Sequence, residues 1–267
     1  MQYSMAGHLL SFTPDVTHVM GVINLSSESK NVDTFAESAT AAVEMADRYR
    51  KAGASIIDVG AQSSHFDNDE LPVEVEIERL RIPVELLTAE GFLLSVDTWK
   101  PEVAKVAIDL GAGLINDTGG MREPNMVALA AANGVAAVAM YLEGTTPLSV
   151  GDLTFSEDKA SEVARLLGER IAELEALGVN QIISDPGIGI SYTSDYQKYT
   201  EQQLEMVRGI PTLRAAGRPV LLPVPRKQEP ARVAAFTAMA LEYGADIIRV
   251  HDVEAACDLV QLFGRAA

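Results

Sequence analysis

The sequence predicts an α/β fold, a single (β/α)8 TIM barrel spanning residues 1–267, on three observations. Short apolar strands alternate strictly with amphipathic helices, the strands read as continuous apolar runs, and the length of 267 residues is close to the roughly 250 of such a barrel. Continuous apolar runs suit parallel strands covered by helices.

The elements follow in order. The first strand, His18–Asn24, is "HVMGVIN", and the helical pattern at 35–52 ends in "AGAS", a glycine stop that leads into the strand Ser55–Gly60. A helix at 74–89 precedes Phe92–Asp97, and one at 100–110 ends in "LGAG" before Gly113–Asp117. The apolar stretch Met126–Leu142 is too long for one strand and is interrupted at Asn133-Gly134. It divides into a helix at 124–133 and a strand at Val135–Met140 rather than forming a membrane span. Helix 157–177 stops at "LGVN" before Gln181–Asp185, helix 195–208 precedes Pro219–Pro223, and helix 229–243 stops at "YGAD" before Asp246–Val250. A last helix covers 252–264. No G-x-G-x-x-G follows the first strand, which counts against a doubly wound open sheet.

With 48% hydrophobic residues the chain can bury a large core, and a formal charge of -17 argues against nucleic acid or an anionic membrane as partner. A small molecule is the expected partner. The single Cys257 cannot form an internal disulfide and no secretory leader is legible, so the expected compartment is the cytoplasm. The four histidines, His8 and His18 among them, show no metal-ligand spacing.

Binding groups in a barrel of this kind lie at the C-terminal ends of the strands. Those ends carry Asn24, the run Gln62-Ser63-Ser64, Asp97, Asn116, Met140, Asp185, Lys227 just past the seventh strand, and Arg249 with His251 at the eighth. Each has a plain reading when taken singly. Asp97 opens "DTWKPEV" and suits a helix N-terminus, "DPG" at Asp185 is a turn signal, Asn116-Asp117 suits a satisfied turn, and Lys227 suits a solvated charge. Converging on one pocket, two acids, an amide and a lysine suit a flat heterocycle with a guanine-like edge, because a carboxylate accepts two hydrogen bonds side by side. A pterin presents such an edge.

The motifs "MGVIN", "AGASIIDVGAQSS", "SVDTWKPEVAKVAIDLGAGLINDTGG", "SDPGIGI", "PRK" and "RVHDV" resemble, in order and spacing, the dihydropteroate synthase family. The resemblance implies a pterin-binding barrel that joins 6-hydroxymethyl-7,8-dihydropterin pyrophosphate to p-aminobenzoate with release of pyrophosphate. It also implies roles. Asp97, Asn116, Asp185 and Lys227 hold the pterin, with Asp97, Asp185 and Lys227 the candidate catalytic groups, and Met140 lines the ring's face. Arg249 and His251 bind pyrophosphate, Ser64 belongs to the substrate site, and Asn24 serves a magnesium ion. A homodimer through the later helices is implied as well.

The chain departs from the family pattern on one side. The first loop reads "NLSSESKNVDTF", with Ser27, Glu28 and Lys30 replacing a proline, an aspartate and an aromatic. His65 stands where an arginine is expected, Ile190 where a phenylalanine is, and Gln228 where a serine is. These changes leave three alternatives to synthase chemistry open: another second substrate, folate-dependent methyl transfer, or pterin binding without catalysis.

Overall fold

Strands that are apolar on both faces need cover on both, and this chain supplies helices outside and its own side chains within. The computed structural model describes residues 1–26, 32–65, 67–190, 192, 195–225 and 229–267. The chain opens with a hairpin, β1 (Gln2–Met5) and β2 (His8–Ser11). The βα units follow: β3 (His18–Asn24), α1 (Ala39–Ala52), β4 (Ile56–Gly60), α2 (Val73–Ala89), β5 (Leu94–Asp97), α3 (Pro101–Asp109), β6 (Leu114–Asp117) and α4 (Pro124–Asn133). The second half comprises β7 (Ala136–Met140), α5 (Lys159–Ala176), β8 (Ile182–Asp185), α6 (Tyr196–Arg208), α7 (Ile210–Arg214), β9 (Leu221–Pro223), α8 (Pro230–Glu242), β10 (Ile247–Val250) and α9 (Val253–Leu262).

Every strand expected from the sequence is present within two residues of its expected bounds. The helix expected at 35–52 starts later, because Ser38 takes the N-cap and its hydroxyl accepts the Ala41 N–H at 3.1 Å. Prolines 101, 124 and 230 open α3, α4 and α8, where their missing N–H costs nothing. The hairpin and the short α7 were not expected.

The eight later strands are parallel neighbours in the order β8-β7-β6-β5-β4-β3-β10-β9. The ring closes between β8 and β9 at one bridge, Ser184 to Val220, where Ser184 N donates to Pro219 O at 2.9 Å. Pro219 and Pro223 have no N–H to donate, which keeps β9 short and this joint thin.

Met20, Ile56, Leu114, Ile183, Leu221 and Ile247 point into the ring and form one cluster with Tyr3, Met5, Leu10 and Phe12 of the hairpin segment. The hairpin therefore plugs the N-terminal end of the barrel. Tyr3 Oη donates to Ile182 O at 2.7 Å, and the Gln181 amide bonds both Ser4 N and Ser4 O. Outside the ring, helices bury the other faces of the strands, Val19, Ile57 and Ile248 among them. Among the described residues no helix is long and apolar enough to cross a membrane.

Candidate active site at the barrel mouth

Side chains alternate along a strand, so the residue two places after an interior core position stands on the same face, nearer the C-terminal rim. Ile56 is followed in this way by Asp58, Leu114 by Asn116, Val138 by Met140, Ile183 by Asp185 and Ile247 by Arg249. Ser95, bonded to Asp58 on the neighbouring strand, is followed by Asp97. One layer of apolar side chains thus gives way to a layer of acids, an amide and a guanidinium.

Asp58 is the centre of this layer, and sequence reasoning missed it. Fully buried, its carboxylate accepts from Ser95 Oγ at 2.6 Å, Asn116 Nδ2 at 3.2 Å and Arg249 Nε at 2.6 Å. A lone acid inside the apolar strand "IIDVG" is itself a signal, because burying a carboxylate without partners is costly. Arg249 Nη2 donates to Asp97 Oδ2 at 2.7 Å. Arg249, expected to serve an anion alone, is thus first a bridge between two carboxylates, with Nη1 left free of hydrogen bonds among the described residues. Gly60 makes room for this pair, since a Cβ there would lie 3.3 Å from Asp97 Cβ. The helix-capping reading of Asp97 falls away: Lys100 occupies the N-cap of α3, and Asp97 faces Arg249 instead.

Three carboxyls, of Asp58, Asp97 and Asp185, act on the one guanidinium of Arg249. Burial opposes the Arg249 charge, yet its acidic neighbours outweigh that and raise its pKa. Burial pushes Asp97 up to about 7, with Arg249 lowering it and Asp58, Glu76 and Asp117 raising it. Burial likewise pushes Asp185 up to about 7 against the pull of the Gly187 N–H and Arg249. Among the described residues the mouth is short of positive charge and of hydrogen-bond donors, which a ligand with several N–H groups supplies.

Asp185 combines both roles weighed for it. Its Oδ1 accepts Gly187 N at 2.7 Å inside the "DPG" turn, and its Oδ2 has no hydrogen bond among the described residues. Gly187 is required there, at φ +76° with Tyr141 O only 2.0 Å from where a Cβ would sit. Asp117 lies on the opposite face of β6 from Asn116 and gives both oxygens to backbone donors, Gly119 N at 2.7 Å and Met121 N at 2.9 Å. It is the satisfied turn acid, and Asn116 belongs to the mouth.

A second cluster stands at the adjoining strand ends. Asn24 Nδ2 donates to Thr34 Oγ1 at 2.6 Å, and Thr34 Oγ1 lies 3.1 Å from His251 Nδ1. Asn24 and His251 are brought together as expected, through a threonine that was not. Among the described residues no group of three or more His, Cys, Asp or Glu is placed to hold a metal. Asn24 has one amide oxygen to offer, a hard donor of the kind magnesium takes.

A separate cleft of about 340 Å³ lies outside the barrel against Phe155, Lys159 and Gln202. It contains none of the mouth residues, and its buried Lys159 is already paired with Glu143 at 2.7 Å.

The sequence profile of the pterin binding enzymes matches residues 20–251. The dihydropteroate synthase of Escherichia coli (strain K12) is 32% identical over 257 residues, covering 92% of this chain and 90% of its own. The chain belongs to the dihydropteroate synthase family. Solved members superpose closely. Xanthomonas albilineans dihydropteroate synthase with 4-aminobenzoic acid gives a TM-score of 0.82 at 31% identity, over 98% of this chain and 96% of that one. Thermus thermophilus dihydropteroate synthase in complex with 6HMPPP gives 0.78 at 30%, over 98% of each.

The places where this chain departs from the dihydropteroate synthase family pattern are in part visible. His65 Nδ1 accepts the Asp67 N–H at 3.2 Å, on the loop after β4 that also carries the half-buried Ser64. Met140 is buried with Leu142, Leu153, Ile190 and Tyr192, so one side of the mouth is backed by aliphatic and tyrosine side chains. Lys227, Gln228 and the changed loop positions Ser27, Glu28 and Lys30 lie outside the described residues.

Proposed function

We propose that this protein is a dihydropteroate synthase, joining 6-hydroxymethyl-7,8-dihydropterin pyrophosphate to p-aminobenzoate in the cytoplasm. The observation that carries this is the electron-rich layer of Asp58, Asp97, Asn116 and Asp185 around one arginine, in a chain of this family. The free Oδ2 of Asp185 and the Asp97 carboxylate accept the pterin's amino and ring N–H groups, Asn116 adds a donor and an acceptor, and Lys227 donates to the ring carbonyl. Met140 lines the ring's face, and Ser64 stands on the second-substrate side.

In the reaction the aminobenzoate nitrogen attacks the exocyclic methylene carbon, the C–O bond to pyrophosphate breaks, and the amine gives up a proton. Positive charge develops on the pterin methylene, and carboxylates already fixed by Asp58 and Arg249 stabilise it without reorganising. The leftover Nη1 of Arg249, His251 and Asn24 receive the departing pyrophosphate. Asn24 would hold magnesium, which would supply further charge neutralisation at the diphosphate when bound.

A homodimer through the later helices fits the exposed Leu262 and Phe263 at the end of α9 and the exposed Ala235 on α8. The test of function is turnover with the pterin pyrophosphate and p-aminobenzoate, scored separately for pyrophosphate release and dihydropteroate formation. Pterin binding with neither product would overturn the proposal.

A further inference from the structure

Building on the proposed synthase activity, we infer that Tyr199 is a positioning residue that fastens the Met140 side of the mouth. The segment after β8 runs from Asp185 through Ile188 and Ile190, and its backbone is tied down from α6. Tyr199 Oη reaches both Ile188 O, at 2.8 Å, and Ile190 O, one O–H shared between two carbonyls. One helical turn on, Gln203 Nε2 donates to Ile188 O at 2.9 Å. Gln203 is itself oriented from α8, where Arg232 Nη2 lies 3.4 Å from its Oε1 and 2.9 Å from Thr200 Oγ1.

The fastened segment touches the mouth at two points. At one end is Asp185, whose Oδ1 holds Gly187 N. At the other is Ile190, buried against Met140, the residue that continues the interior face of β7 at the rim. A segment held at two carbonyls on one side and at the Asp185 turn on the other has one arrangement. Among the described residues, loss of the Tyr199 hydroxyl leaves Ile190 O without a hydrogen bond and Ile188 O with Gln203 alone. The displacement falls on the Ile190 end, since Asp185 remains anchored in β8 through Tyr141 N donating to its backbone oxygen at 2.8 Å. Tyr199 therefore governs the packing of Ile190 behind Met140, the residue on the pterin's face, and leaves the Asp185 anchor in place.

The test is Tyr199→Phe, which keeps the buried ring and removes only the hydroxyl. The expected result is about tenfold weaker binding of 6-hydroxymethylpterin and a similar rise in KM for the pterin pyrophosphate, with KM for p-aminobenzoate within about twofold and kcat within about threefold of the parent. Amide exchange in 187–190 should accelerate while that of β3 and β4 does not. Gln203→Met should act in the same direction and more weakly. A purely architectural tyrosine would instead lower the active fraction and the melting temperature, reducing kcat with KM unchanged, and that outcome overturns the inference. Unchanged exchange in 187–190 overturns it too. Absence of turnover in the parent protein refutes the synthase reading and leaves the exchange measurement to decide the role of Tyr199.

Discussion

Asp185→Asn separates the two jobs that one carboxylate performs. Oδ1 serves the turn by accepting Gly187 N, and Oδ2 is the oxygen left for a ligand. Asparagine can keep the first contact with its own carbonyl, which puts its NH2 where Oδ2 was. A pterin N–H that met a carboxylate oxygen then meets another donor. The loss comprises one charge-assisted hydrogen bond, about 1.5–3 kcal/mol, plus about 1–3 kcal/mol for a buried donor left without a partner. Pterin affinity should fall by roughly 100-fold or more, at about 1.4 kcal/mol per decade. The ligand-free protein should melt at the parent's temperature or above it at pH 8, because a carboxylate that burial disfavours has become neutral. Calorimetric titration with 6-hydroxymethylpterin beside a melting curve reads both quantities. Near-normal affinity with a clearly lowered melting temperature would mean that Asp185 serves only the turn.

Two further outcomes follow from the same electrostatics. Asp117→Asn turns an acceptor for Gly119 N or Met121 N into a donor, so it should cost about 1–3 kcal/mol of stability. At about 2–4 °C per kcal/mol for a chain of this size, the melting curve should drop visibly while pterin affinity stays within about twofold; a loss of affinity would place Asp117 in the site. Pterin affinity should rise with pH through about 7, where Asp97 and Asp185 ionise, and be roughly tenfold weaker at pH 6 than at pH 8. The stability of the ligand-free protein should slope the other way. The folded pKa of about 7 lies above the unfolded value of about 3.9, so the folded form holds extra protons between those limits and loses stability as pH rises through that window. Calorimetry and melting curves across pH 5.5–8.5 check both slopes, and a flat affinity profile contradicts the ionised-acceptor role.

The barrel was legible because its signals are repeated: eight apolar runs, each followed by a helical period and most preceded by a glycine stop. The rim was legible where a polar residue ends a strand, as at Asp97, Asn116 and Asp185. Asp58 was hidden because it sits in mid-strand, and Thr34 because it lies in a short turn with no pattern of its own. Counting by twos from the interior residues finds Asp58 and also separates Asn116 from Asp117, which adjacency in sequence cannot do. The double engagement of Arg249 depends on β4, β5 and β10 coming together, 191 and 152 residues apart in the chain. The hairpin went unread because four-residue strands give too little alternation, Tyr3 and Met5 against Leu10 and Phe12, to stand out.

The thin joint between β8 and β9 gives the ring a direction of give. A closed hoop yields where it is least stitched, and here a single bridge, Ser184 to Val220, holds what full ladders hold elsewhere. Asp185 ends the strand on one bank of that joint, and the chain leaving the other bank carries Lys227. The plug at the far end spans the same joint, gripping Gln181 and Ile182 on the β8 side while Met1 Sδ lies 4.0 Å from Arg218 Nη1 on the β9 side. The first dozen residues therefore work as a clasp. Loosening them should let β8 and β9 part more easily, so the strand that ends in Asp185 is braced from the bottom of the barrel.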